Sequence, residues 1–259
     1  MVEFDSDHYQ SARKIFGDEV FSGHDPLFSE GLAIVAFTNR CGSNLLADYL
    51  FQSGCFGHFP ELLNHDVMPH QARELGATSF PDYIAKLEQR LRRPGRPLGL
   101  KASCTQLAML HRYGAFGMFP WTKVIHIQRD DLVAQAVSFH VAARTNQWTS
   151  RHKRNDVALK YEFADIRNRF NGLSNDNRRI MQICSALMLD VVQVRYEDLV
   201  AGPREEITRI LDFFGMNLGA ETLLQATIEK QADVLNDEFA RLFRRDWLRY
   251  EGIEPPPPA

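Results

Sequence analysis

Leu32-Ala33-Ile34-Val35-Ala36-Phe37, followed at once by Thr38-Asn39-Arg40-Cys41-Gly42-Ser43-Asn44-Leu45-Leu46, decides how this chain folds. The first six residues are uniformly apolar and too few to cross a bilayer, so they read as a buried strand. Past the polar stretch, Leu45, Leu46, Tyr49 and Leu50 recur on one helical face, and Gly54 is a natural stop. A strand, a tight loop and a helix start together form a cradle for an anion. The first amides of a helix have no partner one turn back, and the helix dipole favours negative charge there. Thr38, Asn39, Arg40, Cys41, Gly42, Ser43 and Asn44 are the candidate binding residues, with Arg40, Ser43 and Asn44 adding side-chain donors. The Walker pattern of Gly, four residues and Gly-Lys-Ser/Thr is not met. Its positions hold Ala36, Cys41, Gly42 and Ser43, so the first glycine and the lysine are absent.

A second segment gives the loop a partner. Val124-Ile125-His126-Ile127-Gln128 reads as a strand ending at Arg129, and a helix starts near Asp130 or Asp131. Arg129 then sits at the carboxyl end of a strand, where open α/β sheets bind ligands. Ser138, nine residues on, lies about two turns along the helix, within reach of the same small anion. A structural reading competes with this one: Arg129 paired with Asp130 or Asp131, and Ser138 on a packed face.

The two segments together resemble the sulfotransferases that use 3'-phosphoadenosine 5'-phosphosulfate (PAPS). The wording Arg129-Asp130-Asp131-Leu132-Val133-Ala134-Gln135-Ala136-Val137-Ser138 is most similar to the bacterial family typified by trehalose 2-sulfotransferase, as is Arg144-Thr145-Asn146-Gln147-Trp148. Val194-Arg195-Tyr196-Glu197-Asp198-Leu199, Pro203 and Ile210-Leu211-Asp212-Phe213-Phe214-Gly215 resemble segments of the wider superfamily. The resemblance implies PAPS as donor, with Thr38 to Leu45 at the 5'-phosphosulfate and Arg129 with Ser138 at the 3'-phosphate. It implies that Lys230 and Gln231 help to close the nucleotide site, that no metal is needed, and that a homodimer forms. The acceptor it implies is a hydroxyl of a sugar or glycolipid.

Sulfuryl transfer moves spread-out negative charge, so catalysis rests on positioning and electrostatic stabilisation. The leaving bridge oxygen needs a cation. Arg40 is the first candidate, since many relatives carry a basic residue in this loop, and Lys101 at the end of a short strand is the next, against a plain surface lysine. The acceptor hydroxyl needs a base. Glu61, in Phe59-Pro60-Glu61-Leu62-Leu63, matches the place of a glutamate proposed as base in the trehalose-type family. Partial desolvation beside Pro60, Leu62 and Leu63 would make it a stronger proton acceptor. A charge at the start of a short helix is the simpler reading, and His58, His65 and His70 are alternative bases. Two rival functions are a nucleotide kinase or NTPase, with Ile125-His126-Ile127 leading to a metal-binding Asp130, and a non-catalytic module that kept the fold.

The 259 residues suffice for one domain, 1–259, with 1–30 as an N-terminal extension and 251–259 as a proline-rich disordered tail. A net charge of −3 argues against nucleic acid and anionic membranes as partners. The sequence lacks a recognisable signal peptide and any run able to span a bilayer. Cys41, Cys55, Cys104 and Cys184 show no Cys-x-x-Cys spacing and read as reduced cytoplasmic thiols, Cys41 as a space-filler in the loop. Helical patterns at 79–93, through Leu107, Leu110 and Tyr113, and at 131–145, 158–170, 177–189 and 203–214 alternate with strands at 98–101, 123–128 and 191–195, while 55–78 reads as irregular. That alternation predicts a three-layer α/β/α domain with a mostly parallel sheet and a P-loop-like anion site.

Overall fold

Every residue of β1 (Leu32–Ala36) is buried, because the strand divides its side chains between two cores. Leu32, Ile34 and Ala36 enter one core and Ala33, Val35 and Phe37 the other. A computed structural model describes residues 6–148, 157–227 and 234–254. In it β1 lies inside a four-stranded parallel sheet of order β2 (Leu98–Ala102), β1, β3 (Thr122–Gln128), β4 (Asp190–Arg195). The expected three-layer fold is observed.

One layer contains α1 (Asp7–Phe16), α3 (Met68–Leu75), α4 (Phe80–Leu91) and α5 (Cys104–Arg112). The opposite layer contains α2 (Ser43–Gln52), α8 (Tyr196–Ala201) and α9 (Pro203–Phe213). A third core joins α6 (Leu132–Thr145), α7 (Phe163–Ala186) and α10 (Val234–Tyr250) beside the sheet. The chain leaves β1 for β2 on one side and then crosses to β3 on the other. That reversal makes the gap beyond the ends of β1 and β3 the switch point where such sheets bind ligands. Ala36 is level with Ala102 and His126, so β1 and β2 end together while β3 runs two residues further, and their following loops lie at the same end of the sheet.

The structure corrects three expectations. Residues 55–78 are not wholly irregular, because α3 forms there with Pro69 in its first turn, Met68 and Ala72 buried, and Gly76 at φ +61° as its cap. The extension 1–30 is not an appendage: α1, capped by Ser6, buries Tyr9, Ala12 and Phe16 in the main core, and Phe16 stacks on Tyr83 at 5.4 Å. The two helices expected at 158–170 and 177–189 are one, α7. Asn171, Gly172, Ser174, Asn175 and Asp176 are poor helix formers, yet Ile166, Leu173, Ile180 and Cys184 form one buried stripe that carries the helix through them. Most of the proline-rich tail, from 255 on, lies outside the described residues.

Leu173 tests the continuity of α7. Leu173→Ala should cost about 2–5 kcal/mol in urea unfolding, the usual range for a core leucine. Ser174→Ala, on the exposed side of the helix, should change stability by no more than about 0.5 kcal/mol. Near-equal effects would show that the buried stripe does not hold the helix together.

Candidate active site

The loop after β1 is shaped by two residues in left-handed conformations, Arg40 at φ +66° and Gly42 at φ +95°. Gly42 caps α2 with no side-chain bond, leaving the amides of Ser43, Asn44 and Leu45 without an intrahelical carbonyl. No larger residue fits at 42, since an added Cβ would lie 2.3 Å from the Tyr196 ring. Thr38, Cys41 and Ser43 are buried beneath the loop, and Asn39 is exposed. Burial pushes the Cys41 thiol up, which suits the space-filling role and not a reactive thiolate.

Arg40 turns toward the second segment: its Nε donates to Ser138 Oγ at 3.0 Å and a terminal nitrogen donates to the Trp148 carbonyl at 2.6 Å. The two stretches read separately in the sequence therefore meet. Arg129 lies beside them with its guanidinium 5.1 Å over the Tyr196 ring. The aspartates that were to cap Arg129 are engaged elsewhere. Asp130 pairs with Arg195, and Asp131 caps α6 through Ala134 N–H and pairs with Arg244 at 2.8 Å. Glu197 accepts from the Asp130 amide at 3.1 Å and stands 4.0 Å from Arg129 Nε, a buried donor with no hydrogen-bond partner among the described residues. Burial, and then the nearby charge of Arg129, hold the Arg40 guanidinium below its ordinary value. Two crowded guanidinium groups, uncapped helix amides and an orphaned Nε fit a phosphate or sulfate group.

A polar network under the loop was not foreseen. Gln135 is buried; its Nε2 donates to Thr38 Oγ1 at 2.9 Å and to the Asn39 carbonyl at 2.7 Å. Thr38 donates to Asn177 Oδ1 at 3.4 Å, and His126 Nε2 reaches the same oxygen at 3.3 Å. Gln128 Nε2 lies 3.3 Å from His126 Nδ1, which fits a neutral imidazole donating from Nε2 and accepting at Nδ1. Gln135 was discoverable, since it stands three residues before Ser138 and so shares its helix face. Tyr196 and Glu197 lay in a quoted motif without a role, while Asn177, mid-helix, carries no local signal.

On the far side of the loop, Lys101 is buried and binds both Asn44 Oδ1 and Glu61 Oε1, the latter at 2.6 Å. Lys101 is thus no surface lysine. Glu61 has its side chain 39% exposed, so it is partly desolvated, and its charge is matched by Lys101, a partner the sequence reading did not assign to it. The three histidines diverge: His58 stacks on Phe51 at 3.9 Å, His65 packs against His8, and exposed His70 faces Glu74. Arg144 pairs with Glu162 at 2.7 Å. Lys230 and Gln231 lie outside the described residues. Among the described residues, no cluster of three His, Cys, Asp or Glu is placed to hold a metal, and no helix is long and apolar enough to cross a membrane.

Residues 100–246 match the family described as Stf0 sulphotransferase, and the chain belongs to that family. It is 28% identical over 127 residues to trehalose 2-sulfotransferase of Mycolicibacterium smegmatis (strain ATCC 700084 / mc(2)155). That alignment covers 49% of this chain and 47% of the relative, about half of each. A sulfotransferase domain from the curacin biosynthetic pathway superposes with a TM-score of 0.54 at 17% identity, covering 88% of this chain and 93% of that one. The sulfotransferase domain of the Synechococcus PCC 7002 olefin synthase gives 0.52 at 17% identity, covering 87% and 90%. At these identities the likeness shows a shared fold.

The network makes stability depend on pH. Burial lowers His126 to about 4 despite its bond to Asn177. A histidine held below its unfolded value of 6.5 takes up its proton first in the unfolded chain, so stability falls as pH drops from 6.5 toward 4. His126 should remove about 2–3 kcal/mol between pH 7.5 and 4.5, with His8, also lowered by burial, acting in the same direction. Carboxylates ordinarily titrate near or below pH 4 and add little there. Urea unfolding of His126→Gln should show a much flatter pH profile; a wild-type slope in that variant would remove His126 as its source.

Proposed function

We propose that this chain is a PAPS-dependent sulfotransferase acting on a hydroxyl of a small carbohydrate or glycolipid. The observation that carries the reading is the convergence of Arg40, Arg129 and Ser138 at the sheet's switch point, beside the uncapped start of α2. In this reading the amides of Gly42, Ser43 and Asn44 with Arg40 hold the 5'-phosphosulfate, and Arg129 with Ser138 holds the 3'-phosphate. PAPS supplies an activated sulfuryl group whose acceptance needs no oxidation or metal. The carbohydrate acceptor is argued from the relative that is named for trehalose, and the variable stretches 57–78 and 146–156 are where it would be chosen.

Two residues divide the proton and charge work. Lys101, buried and anchored to Asn44, presents an ammonium beside the loop, where negative charge develops on the departing oxygen. Glu61 takes the acceptor proton. Its bond to Lys101 ties the two tasks together, since a proton arriving on Glu61 frees the ammonium to turn toward the leaving group. Cys41, Asn39 and Thr38 shape the loop from below and beside it.

Nucleotide choice separates this reading from a kinase. Adenosine 3',5'-bisphosphate should raise the melting temperature, adding roughly 2.7 kcal/mol at about a hundred times its dissociation constant. ATP with magnesium should add little. Stabilisation by magnesium-ATP alone would transfer the case to a nucleotide kinase or NTPase.

Glu61→Gln should leave bisphosphate affinity nearly unchanged and lower turnover by about a hundred- to ten-thousand-fold, the range for a positioned base. Steady-state rates with PAPS and a sugar acceptor provide the check. A variant with near-normal turnover would leave Glu61 as no more than the counter-ion of Lys101.

A further inference from the structure

A cleft of about 440 Å³ opens beyond the end of α4, lined by His58, Arg90, Arg92, Arg93 and Arg96. The run Arg90-Leu91-Arg92-Arg93 suits a helix dipole, yet α4 ends at Leu91, so Arg92 and Arg93 lie past its last turn. Two of the four guanidinium groups are balanced: Arg90 by Glu74 at 2.9 Å and Arg92 by Glu88 at 3.7 Å. Among the described residues no carboxylate stands within ion-pair distance of Arg93 or Arg96. The cleft therefore carries two positive charges that the fold does not match. Its wall is ordered by stacking, with His58 flat on Phe51 at 3.9 Å and the Arg93 guanidinium 5.7 Å from the same ring.

The cleft is tied to Glu61 by one extended run. Residues 58–60 lie along the outer edge of β2: the Lys101 amide donates to the Pro60 carbonyl at 3.1 Å, and a Cβ at Gly99 would come within 2.8 Å of the His58 carbonyl. Glu61 is three positions past His58, a span of at most about 10 Å. We propose that the cleft is an acceptor subsite for a phosphate or sulfate ester carried by the sugar, some distance from the hydroxyl that is modified. Arginine forks match the tetrahedral oxygens of such esters better than lysine does. The assignment of the ester to an acceptor rests on the sulfotransferase reading; the anion-binding character of the cleft does not.

The test is calorimetric titration of the full chain with trehalose 6-phosphate, trehalose and inorganic phosphate, with and without saturating adenosine 3',5'-bisphosphate. With the nucleotide cradle filled, trehalose 6-phosphate should bind at least about tenfold more tightly than either other probe, the least expected from one charge-assisted contact. Arg93→Ala/Arg96→Ala should abolish that preference while keeping the melting temperature and bisphosphate affinity of the wild type. Arg93→Lys/Arg96→Lys should retain part of it. Equal binding of trehalose 6-phosphate and trehalose, or full preference in the alanine variant, would overturn the subsite. Inorganic phosphate binding as tightly as the sugar phosphate would overturn the acceptor assignment. Failure of the bisphosphate to bind would count against the donor reading alone, since the titrations without it still decide the cleft.

Discussion

Two guanidinium groups held side by side repel each other, and this fold spends structure to keep them so. Arg40 lies in the loop after β1 and Arg129 directly follows β3, its neighbour, so the sheet itself brings the charges together. Tyr196 touches both segments: its ring faces Arg129 at 5.1 Å and leaves room for nothing larger than glycine at 42. Gln135, Thr38 and Asn177 fasten the loop from below. The aspartates next to Arg129 are drawn off by Arg195 and Arg244, and among the described residues its Nε has no hydrogen bond. A phosphate or sulfate arriving there would relieve the repulsion between Arg40 and Arg129.

The site has two sides with different chemistry. The Arg129 side is cationic and enclosed, built from elements at the centre of the sheet. The Lys101 side lies at the edge strand β2, where a buried ammonium meets a partly exposed carboxylate. Asn44, in the first turn of α2, bonds Lys101 and so links the two. A change in the loop is thereby felt by the proposed base, and the reverse holds as well. Glu61 is partly desolvated, and its charge is met by Lys101: the neighbouring residues Leu62 and Leu63 turn inward, Leu63 into the core, while Glu61 follows Lys101.

Much of this was legible in the sequence. The apolar run Leu32–Phe37 and the stretch Val124–Gln128 announced central strands, because parallel strands buried on both faces need continuous apolar residues. Arg129 and Ser138 stood out by their spacing and Arg40 by its place in the loop, and the structure brings Arg40 onto Ser138. The misses share a cause, namely that tertiary contacts overrode local pattern. The run from Asn171 to Asp176 reads as a helix break, yet Leu173 anchors it between α6 and α10. Met68 and Ala72 reveal α3 only once the helices around them are in place. Asn177 and His126 lie 51 residues apart and meet only across the folded sheet.

The central claim, that Arg40 and Arg129 together hold one nucleotide, is tested most directly by a double-mutant cycle on adenosine 3',5'-bisphosphate affinity. Wild type, Arg40→Ala, Arg129→Ala and the double variant would be compared by calorimetry at one ionic strength. Each single change should weaken binding about ten- to a hundred-fold. Their effects should be non-additive by about 0.5–3 kcal/mol, as for charges sharing one ligand and one network. Additive losses would mean that the two arginines serve separate sites, and unchanged affinity in Arg129→Ala would contradict the account outright.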